Sequence, residues 1–231
     1  MSKIFPNGGE SFGNNSILAA LPVEELSFLR THLHQIRFKA GHVFCDVSSP
    51  IEFVWLPLAG MIGLFAVMND GTTVVLAATG REGFLGARLL LGGQRAPLRA
   101  VALMEGTALR LDRQQLPGIL SSAPQFAAAL RRYCGVYLAQ LVQLGACHAL
   151  HKVSQRLAMW LLMVHARSNS DSLPLTHESL CEMLGCRRSS ISEALSLLQS
   201  ARAVRGGRGR IRILDRARLV DQSCECHASL R

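Results

Sequence analysis

At 231 residues and 25.1 kDa the chain has room for two domains, and 49% hydrophobic against 18% charged residues excludes an intrinsically disordered protein. Its most apolar stretches, 51–67 and 158–166, are broken by Glu52, Gly60 and His165. They fall short of the roughly 18 uninterrupted apolar residues of a spanning helix, so no membrane association is expected. The formal charge of +9 is uneven: twelve basic residues against five acidic ones lie between His151 and Val220, which points to a polyanionic partner.

In chain order, residues 1–17 are rich in Gly, Asn and Ser and are expected to form a flexible tail without the apolar core of an export signal. Seven cysteines without regular spacing suit a reduced, cytoplasmic protein rather than a disulfide framework. Leu21, Leu26, Leu29 and Leu33 among polar neighbours predict one or two short helices. Residues 36–112 are rich in Val, Ile, Phe and Thr and punctuated by Gly. Short strands are predicted over 51–57, 61–67, 72–78, 99–104 and 108–112, with a hairpin at Asn69-Asp70-Gly71. Such spacing implies an antiparallel β-roll, jelly-roll-like, within residues 18–122.

After Pro117 the period changes. A helix is predicted over 124–149, where Phe126, Leu130, Tyr133, Tyr137 and Leu144 form a stripe near 3.5-residue spacing, with Leu141 on a second stripe beside it. That spacing suits pairing with a symmetry mate, hence a homodimer along 123–149; packing on the chain's own β-domain is the alternative, and two stripes leave room for both contacts. A second helix follows over 152–167, then a Ser/Asn/Asp loop and an extended Leu173-Pro174-Leu175.

From Thr176 the signal becomes specific. Thr176 is placed to cap a short helix over 177–184, ended by Gly185, and a second helix over 187–200 carries Ile191, Leu195 and Leu198 inward. Two short helices joined by a Gly-containing turn form a helix-turn-helix. The segment Val204-Arg-Gly-Gly-Arg-Gly-Arg-Ile-Arg-Ile-Leu214 reads as a basic hairpin, completing a winged helix within residues 150–220; residues 221–231 are left as a C-terminal tail. With Ile191 as the buried direction, Ser189, Glu193 and Ser196 point away from the core and Ser192 lies on the flank. Arg187, Arg188, Ser189, Ser190, Ser192 and Glu193 are therefore the expected base-reading set, because arginine pairs with guanine and glutamate accepts from cytosine. Arg208 and Arg210 on the hairpin are expected to meet phosphate on double-stranded DNA.

The stretch Leu175-Thr-His-Glu-Ser-Leu-Cys-Glu-Met-Leu-Gly-Cys-Arg-Arg-Ser-Ser-Ile-Ser-Glu-Ala-Leu, with the wing ending Gly209-Arg-Ile-Arg-Ile-Leu-Asp-Arg216, resembles the Crp/Fnr transcription regulators. The resemblance runs from about Leu21 to Arg218. It implies an α+β chain: a cyclic-nucleotide-binding-type β-roll, a long dimerisation helix and a C-terminal winged helix, acting as a dimeric, sequence-specific regulator that answers a signal in its sensor domain. It also implies contact with RNA polymerase if the protein activates. A regulator that binds DNA without a ligand and is controlled by abundance is the alternative.

The sensor departs from the nucleotide-binding pattern. Gly80-Arg-Glu-Gly83-Phe84-Leu85-Gly86 resembles the start of the phosphate cassette, but Ala87 stands where the family's ribose-holding Glu is expected. Arg95 and Arg99 are out of register with its phosphate-binding Arg. The effector pocket expected from Gly83, Phe84, Leu85, Gly86, Arg95 and Arg99 therefore suits an unidentified small anion better than cyclic AMP.

No metal or other cofactor is expected. The first 44 residues hold no cysteine and Cys45 stands alone, against the iron–sulfur members of the family. Cys147-His148-Ala-Leu-His151 offers metal or haem ligands at helical spacing but is read as packing and capping, and Cys224-Glu-Cys226-His227, which could bind metal or oxidise, falls short of the usual zinc pattern. No paired carboxylates, Ser-His-Asp order or H-E-x-x-H motif marks an enzyme.

Overall fold

The computed structural model describes residues 12–168, 170–207 and 209–229. The chain divides into two compact units, one of residues 12–64 with 78–138, the other of residues 65–77 with 139–229.

The first unit opens with a 3-10 turn, Phe12–Asn14, and α1, Ser16–Ala19. Part of the expected flexible tail is thus ordered, and Asn15 is the reason. Its Oδ1 accepts from the Ile17 and Leu18 amides while its Nδ2 donates to the carbonyls of Pro57 and Gly83, both at 2.9 Å. This fully buried side chain caps the helix and pins the entering chain to the β-roll at once. Helix α2, Val23–Arg30, follows, then β1, His34–Phe38; β2, Val43–Cys45; β3, Phe53–Val67; and β4, Thr73–Thr79. After α3, Ala87–Leu90, comes β5, Arg99–Asp112. The sheet runs β1-β5-β3-β4, with β2 also paired to β5, and β1 and β2 are antiparallel to β5.

Two pairs of strands predicted as separate are each one long strand. The sequence suggested breaks at Pro57, Gly60 and Gly106, and each residue has another purpose. Pro57 lacks an amide donor, but its carbonyl serves Asn15. Gly60 has φ +86°, and a Cβ there would sit 2.7 Å from the Glu105 carbonyl oxygen. A Cβ on Gly106 would be driven into the Ala59 carbonyl. These glycines let the backbones of β3 and β5 approach closely without ending either strand.

Helix α4, Leu116–Ser122, leads into α5, Pro124–Leu150. Pro124 presents no amide at the start of α5. The next two orphan donors, the Gln125 and Phe126 amides, reach the two carboxylate oxygens of Glu25 at 3.0 and 2.9 Å. Leu18, Leu29, Val54, Leu56, Leu109, Leu111, Phe126 and Leu130 share the unit's core.

The second unit contains the hairpin tip between β3 and β4. Its turn is closed by Met68 and Thr72, with Gly71 at φ +82°, as Asn69-Asp70-Gly71 predicts. It also holds α6, Val153–Arg167; β6, Ser172–Leu173; α7, His177–Leu184; and α8, Arg188–Ser200. Strands β7, Val204–Gly207, and β8, Arg210–Ile213, then form the wing, followed by α9, Arg216–Asp221, and α10, Cys226–Ser229. The predicted extended segment at Leu173 supplies a third strand, giving the order β6-β8-β7. Helix α6 is buried continuously from Arg156 to Val164, and α7, α8, α9 and α10 pack on it.

Arg156 is the charged exception in that wall. Its Nη2 donates to the carbonyl of Leu184, the last residue of α7, and its Nη1 to that of His148 in the last turn of α5 at 3.2 Å.

Two stability predictions follow from these contacts. Gly106→Ala should destabilise the β-roll by about 1–3 kcal/mol through overpacking, read as a lower urea midpoint by Trp55 fluorescence in a Trp160→Phe background. Arg156→Met removes two charge-assisted hydrogen bonds and should cost the second unit about 3 kcal/mol or more, followed by Trp160 fluorescence in a Trp55→Phe background.

Candidate DNA-binding site and sensor residues

The Thr176 hydroxyl accepts from the Ser179 amide and the Ser179 hydroxyl accepts from the Thr176 amide, both at 3.0 Å, so α7 begins in a reciprocal cap. It ends at Gly185, φ +58°, where a Cβ would stand only 3.1 Å from the Val74 side chain of the hairpin. The hairpin also holds α7 through the Thr73 hydroxyl, which donates to the Glu182 carbonyl at 3.2 Å. Arg187 then caps α8 with extended backbone. The turn is thus set by glycine at one end and by the closely packed hairpin beside it.

Ile191, Ala194, Leu195 and Leu198 bury one face of α8. On the opposite face Arg187, Arg188, Ser189, Ser192, Glu193 and Ser196 are exposed, as the helical rotation predicts, and Ser190 is half-buried. Neither Arg187 nor Arg188 forms an ion pair with another described residue. Ser192 Oγ lies 3.4 Å from His177 Nδ1, which brings the first residue of α7 to the edge of this face. The helix therefore offers two free guanidiniums at its N-terminal end, small hydroxyls along its flank and one carboxylate a turn later.

The wing is tied to α8 by the Gly206 amide, which donates to Gln199 Oε1 at 3.0 Å. Of the two wing arginines expected to meet phosphate, Arg208 lies outside the described residues. Arg210 donates from Nε to the Ser172 hydroxyl at 3.0 Å, so it braces β8 against β6. The sequence reading did not single out Arg205 and Arg212. They stand directly opposite each other on β7 and β8, both exposed. Like charges facing across strands repel, and a polyanion would relieve that repulsion. Strand alternation was the available signal: Ile211 and Ile213 point inward, so Arg210 and Arg212 point out.

The expected effector residues fall in two places. Gly83, Phe84, Leu85 and Gly86 are all buried. A Cβ on Gly83 would strike the Tyr133 ring, whose hydroxyl donates to Thr79 Oγ1 at 2.8 Å. Leu85 exchanges backbone hydrogen bonds with Trp55. Arg95 Nη1 donates to the Ser48 carbonyl at 2.6 Å, and Arg99 Nε lies 3.8 Å from Asp46 Oδ2. Both guanidiniums thus serve the turn at 46–49, beside a carboxylate that opposes an anion.

The predicted pairing stripe lies mostly on the inward face. Phe126, Leu130, Tyr133 and Leu144 are buried by their own chain, and Tyr137 and Leu141 are half-buried. Large apolar residues at helical spacing here mark the face turned inward. The outward apolar face of α5 carries Leu138 and Val142, the latter 74% exposed, among Gly135, Ala139, Gly145, Ala146 and Ala149. A Cβ on Gly135 or Gly145 would meet nothing within 4 Å.

His148, near the end of α5, is held by burial below the ordinary histidine range, and its neutral ring donates from Nε2 to the Val75 carbonyl at 2.9 Å. No helix among the described residues is long and apolar enough to cross a membrane.

Comparison with known proteins agrees with this architecture. Residues 155–222 match the Crp-like helix-turn-helix domain and residues 35–123 the cyclic nucleotide-binding domain. The transcriptional regulator SdrP of Thermus thermophilus is 26% identical over 188 residues, covering 78% of this chain and 89% of SdrP. FixK2 of Bradyrhizobium japonicum shares the fold with a TM-score of 0.70 at 19% identity, over 83% of this chain and 98% of FixK2. The c-di-GMP-responsive global regulator CLP of Xanthomonas campestris does so with a TM-score of 0.69 at 16% identity, over 83% of this chain and 99% of CLP. With a cyclic-nucleotide-binding-type domain, a long central helix and a winged helix-turn-helix in that order, the chain belongs to the Crp/Fnr family of transcription regulators.

Proposed function

We propose that two copies of this chain pair along α5 and read an inverted-repeat operator, each inserting the N-terminal end of α8 into the major groove. The observation that carries the reading is the unpaired, exposed Arg187-Arg188 pair at the head of a helix whose opposite face is fully buried. Arg188 and Arg187 are the candidates for guanine, Glu193 for a cytosine amino group, and Ser189, Ser190 and Ser192 for close approach. Arg205 and Arg212, with Arg208, supply phosphate contacts that add affinity without sequence information.

The outward face of α5 fits a self-complementary helix pair. Its small residues let two backbones approach, and Val142 and Leu138 supply the apolar contact. Such a pair must set the two α8 helices about 34–36 Å apart, one turn of duplex, so a small rotation about α5 changes operator affinity. Strand β4 supplies a covalent route for a signal. Thr79 bonds Tyr133, while Thr73 and Val75 on the same strand hold Glu182 and His148.

Two arginines committed to the 46–49 turn and a cassette filled by Tyr133 favour DNA binding that does not require a cyclic nucleotide. Cyclic AMP should therefore leave operator affinity unchanged in a fluorescence-anisotropy titration.

On an operator recovered by in vitro selection, Arg188→Ala should weaken binding by about 1–3 kcal/mol and relax preference at one base position. Arg212→Ala should weaken all sequences alike and reduce the slope of log K against log salt by about one. Unchanged discrimination in Arg188→Ala would defeat the assignment of α8. Val142→Glu should shift the chain from dimer to monomer in sedimentation velocity without loss of helix content, and dimers persisting in that variant would move the interface elsewhere.

A further inference from the structure

Two pairs of metal-ligand side chains that lie far apart in sequence meet in the second unit. Cys147 lies in the last turn of α5, and His151 follows one turn later, its amide donating to the Cys147 carbonyl at 3.1 Å. Cys226 opens α10 and Cys224 lies two residues before it. The three sulfurs and a ring nitrogen of His151 all lie within 4.8 Å of one another. All three thiols are buried and none forms a disulfide.

We propose that Cys147, His151, Cys224 and Cys226 bind a single zinc ion that clamps the end of α5 to the segment closing the DNA-binding unit.

The spacing suits a mononuclear tetrahedral site. Zinc–sulfur bonds of about 2.3 Å and a zinc–nitrogen bond of about 2.0 Å set sulfur–sulfur edges of about 3.8 Å and sulfur–nitrogen edges of about 3.5 Å. Cys147 Sγ and Cys224 Sγ are 3.6 Å apart, and Cys226 Sγ and His151 Nδ1 are also 3.6 Å apart. Three sulfurs with one imidazole favour zinc over magnesium or calcium, which take oxygen ligands. An iron–sulfur cluster would need ligands spread around several iron atoms rather than gathered about one point.

The surrounding groups complete the pattern. His151 turns Nδ1 toward the sulfurs, and its Nε2 lies 3.1 Å from the Glu225 carboxylate, the partner that fixes ring orientation and raises ligand basicity in histidine–metal sites. Gln143 Nε2 donates to Cys226 Sγ at 3.0 Å, which stabilises a thiolate. Buried cysteines as ordinary small apolar residues would account for the thiols, but not for a histidine held between a thiol and a carboxylate.

On binding, each cysteine loses its proton to solvent and its thiolate bonds the ion, with no change of oxidation state. Four protein ligands leave no open position, so the site is structural rather than catalytic. It does not depend on the DNA-binding reading, since α8 contributes no ligand.

The test uses the full chain, purified without an affinity tag or chelator. Mass-spectrometric metal analysis should find about one zinc per chain, as a closed four-ligand site requires. Cys226→Ser should lose it and Cys186→Ser should keep it. Should Cys226→Ser fail to fold, Glu225→Gln serves instead, because Glu225 is exposed: it should bind zinc about 10–100-fold more weakly in chelator competition, with an unchanged circular dichroism spectrum. Cobalt exchanged into the natural chain should show the thiolate charge-transfer and d–d bands of a tetrahedral site. Four results would each overturn the proposal: a chain that neither retains zinc nor binds cobalt in this way, stoichiometric iron with a visible chromophore, zinc undiminished in Cys226→Ser, or a Cys147–Cys224 disulfide in the purified chain.

Discussion

The buried guanidinium of Arg156 is the constraint on which the geometry of the DNA-binding unit depends. A helix leaves its last carbonyls without partners and carries partial negative charge there. Arg156 stands at the start of the buried wall of α6 and meets two such ends, that of α7 at Leu184 and that of α5 at His148. One cation thereby ties the end of α7, and with it the start of the Gly185 turn, to the end of α5. Burying the charge carries a large desolvation cost. The two carbonyl bonds offset that cost only if both helix ends stay in place, so the contact favours one arrangement of the unit over others.

Given that frame, the two faces of α8 have separate roles. The inner face is aliphatic and packs on α6, which sets orientation. The outer face carries charge that nothing else in the described chain neutralises. Arg187 and Arg188 on the helix and the Arg205–Arg212 pair on the wing all leave positive charge directed at solvent. Isolated repulsion of this kind weakens a fold unless a partner compensates for it, and a duplex with its regular phosphates is suited to do so. The β-roll shows the reverse economy. Gly83 of its cassette lies against the Tyr133 ring, and Arg95 and Arg99 are already engaged with the turn at 46–49.

How much of this was legible in the sequence followed the range of the interactions. The winged helix was read almost to the residue, because its signals are local: the Thr176 cap, the αL-capable Gly185, the 3.6-residue period of Ile191, Leu195 and Leu198, and the alternating wing. The β-roll was legible in class but not in strand length. Pro57, Gly60 and Gly106 signal breaks locally, and only the crossing of two distant strands explains why they do not act as breaks. The stripe on α5 was ambiguous for a related reason. A stripe of Phe, Leu and Tyr has the same period whether it meets its own core or a second copy, and the outward face is marked mainly by small residues, which carry no periodic signal of their own. The four ligands around Cys147 were invisible as a set, because Cys-x-Cys and Cys-x-x-x-His each look incomplete until the fold brings the chain terminus back to α5.

Dimethyl-sulfate footprinting of the bound operator tests the central claim most directly, since the reagent attacks guanine N7 in the major groove and adenine N3 in the minor groove. Protection of guanine N7 in two patches on one side of the duplex, centred about one helical turn apart, is the predicted result. Protection confined to adenine N3, or a single patch without its symmetric mate, would contradict major-groove reading by paired α8 helices.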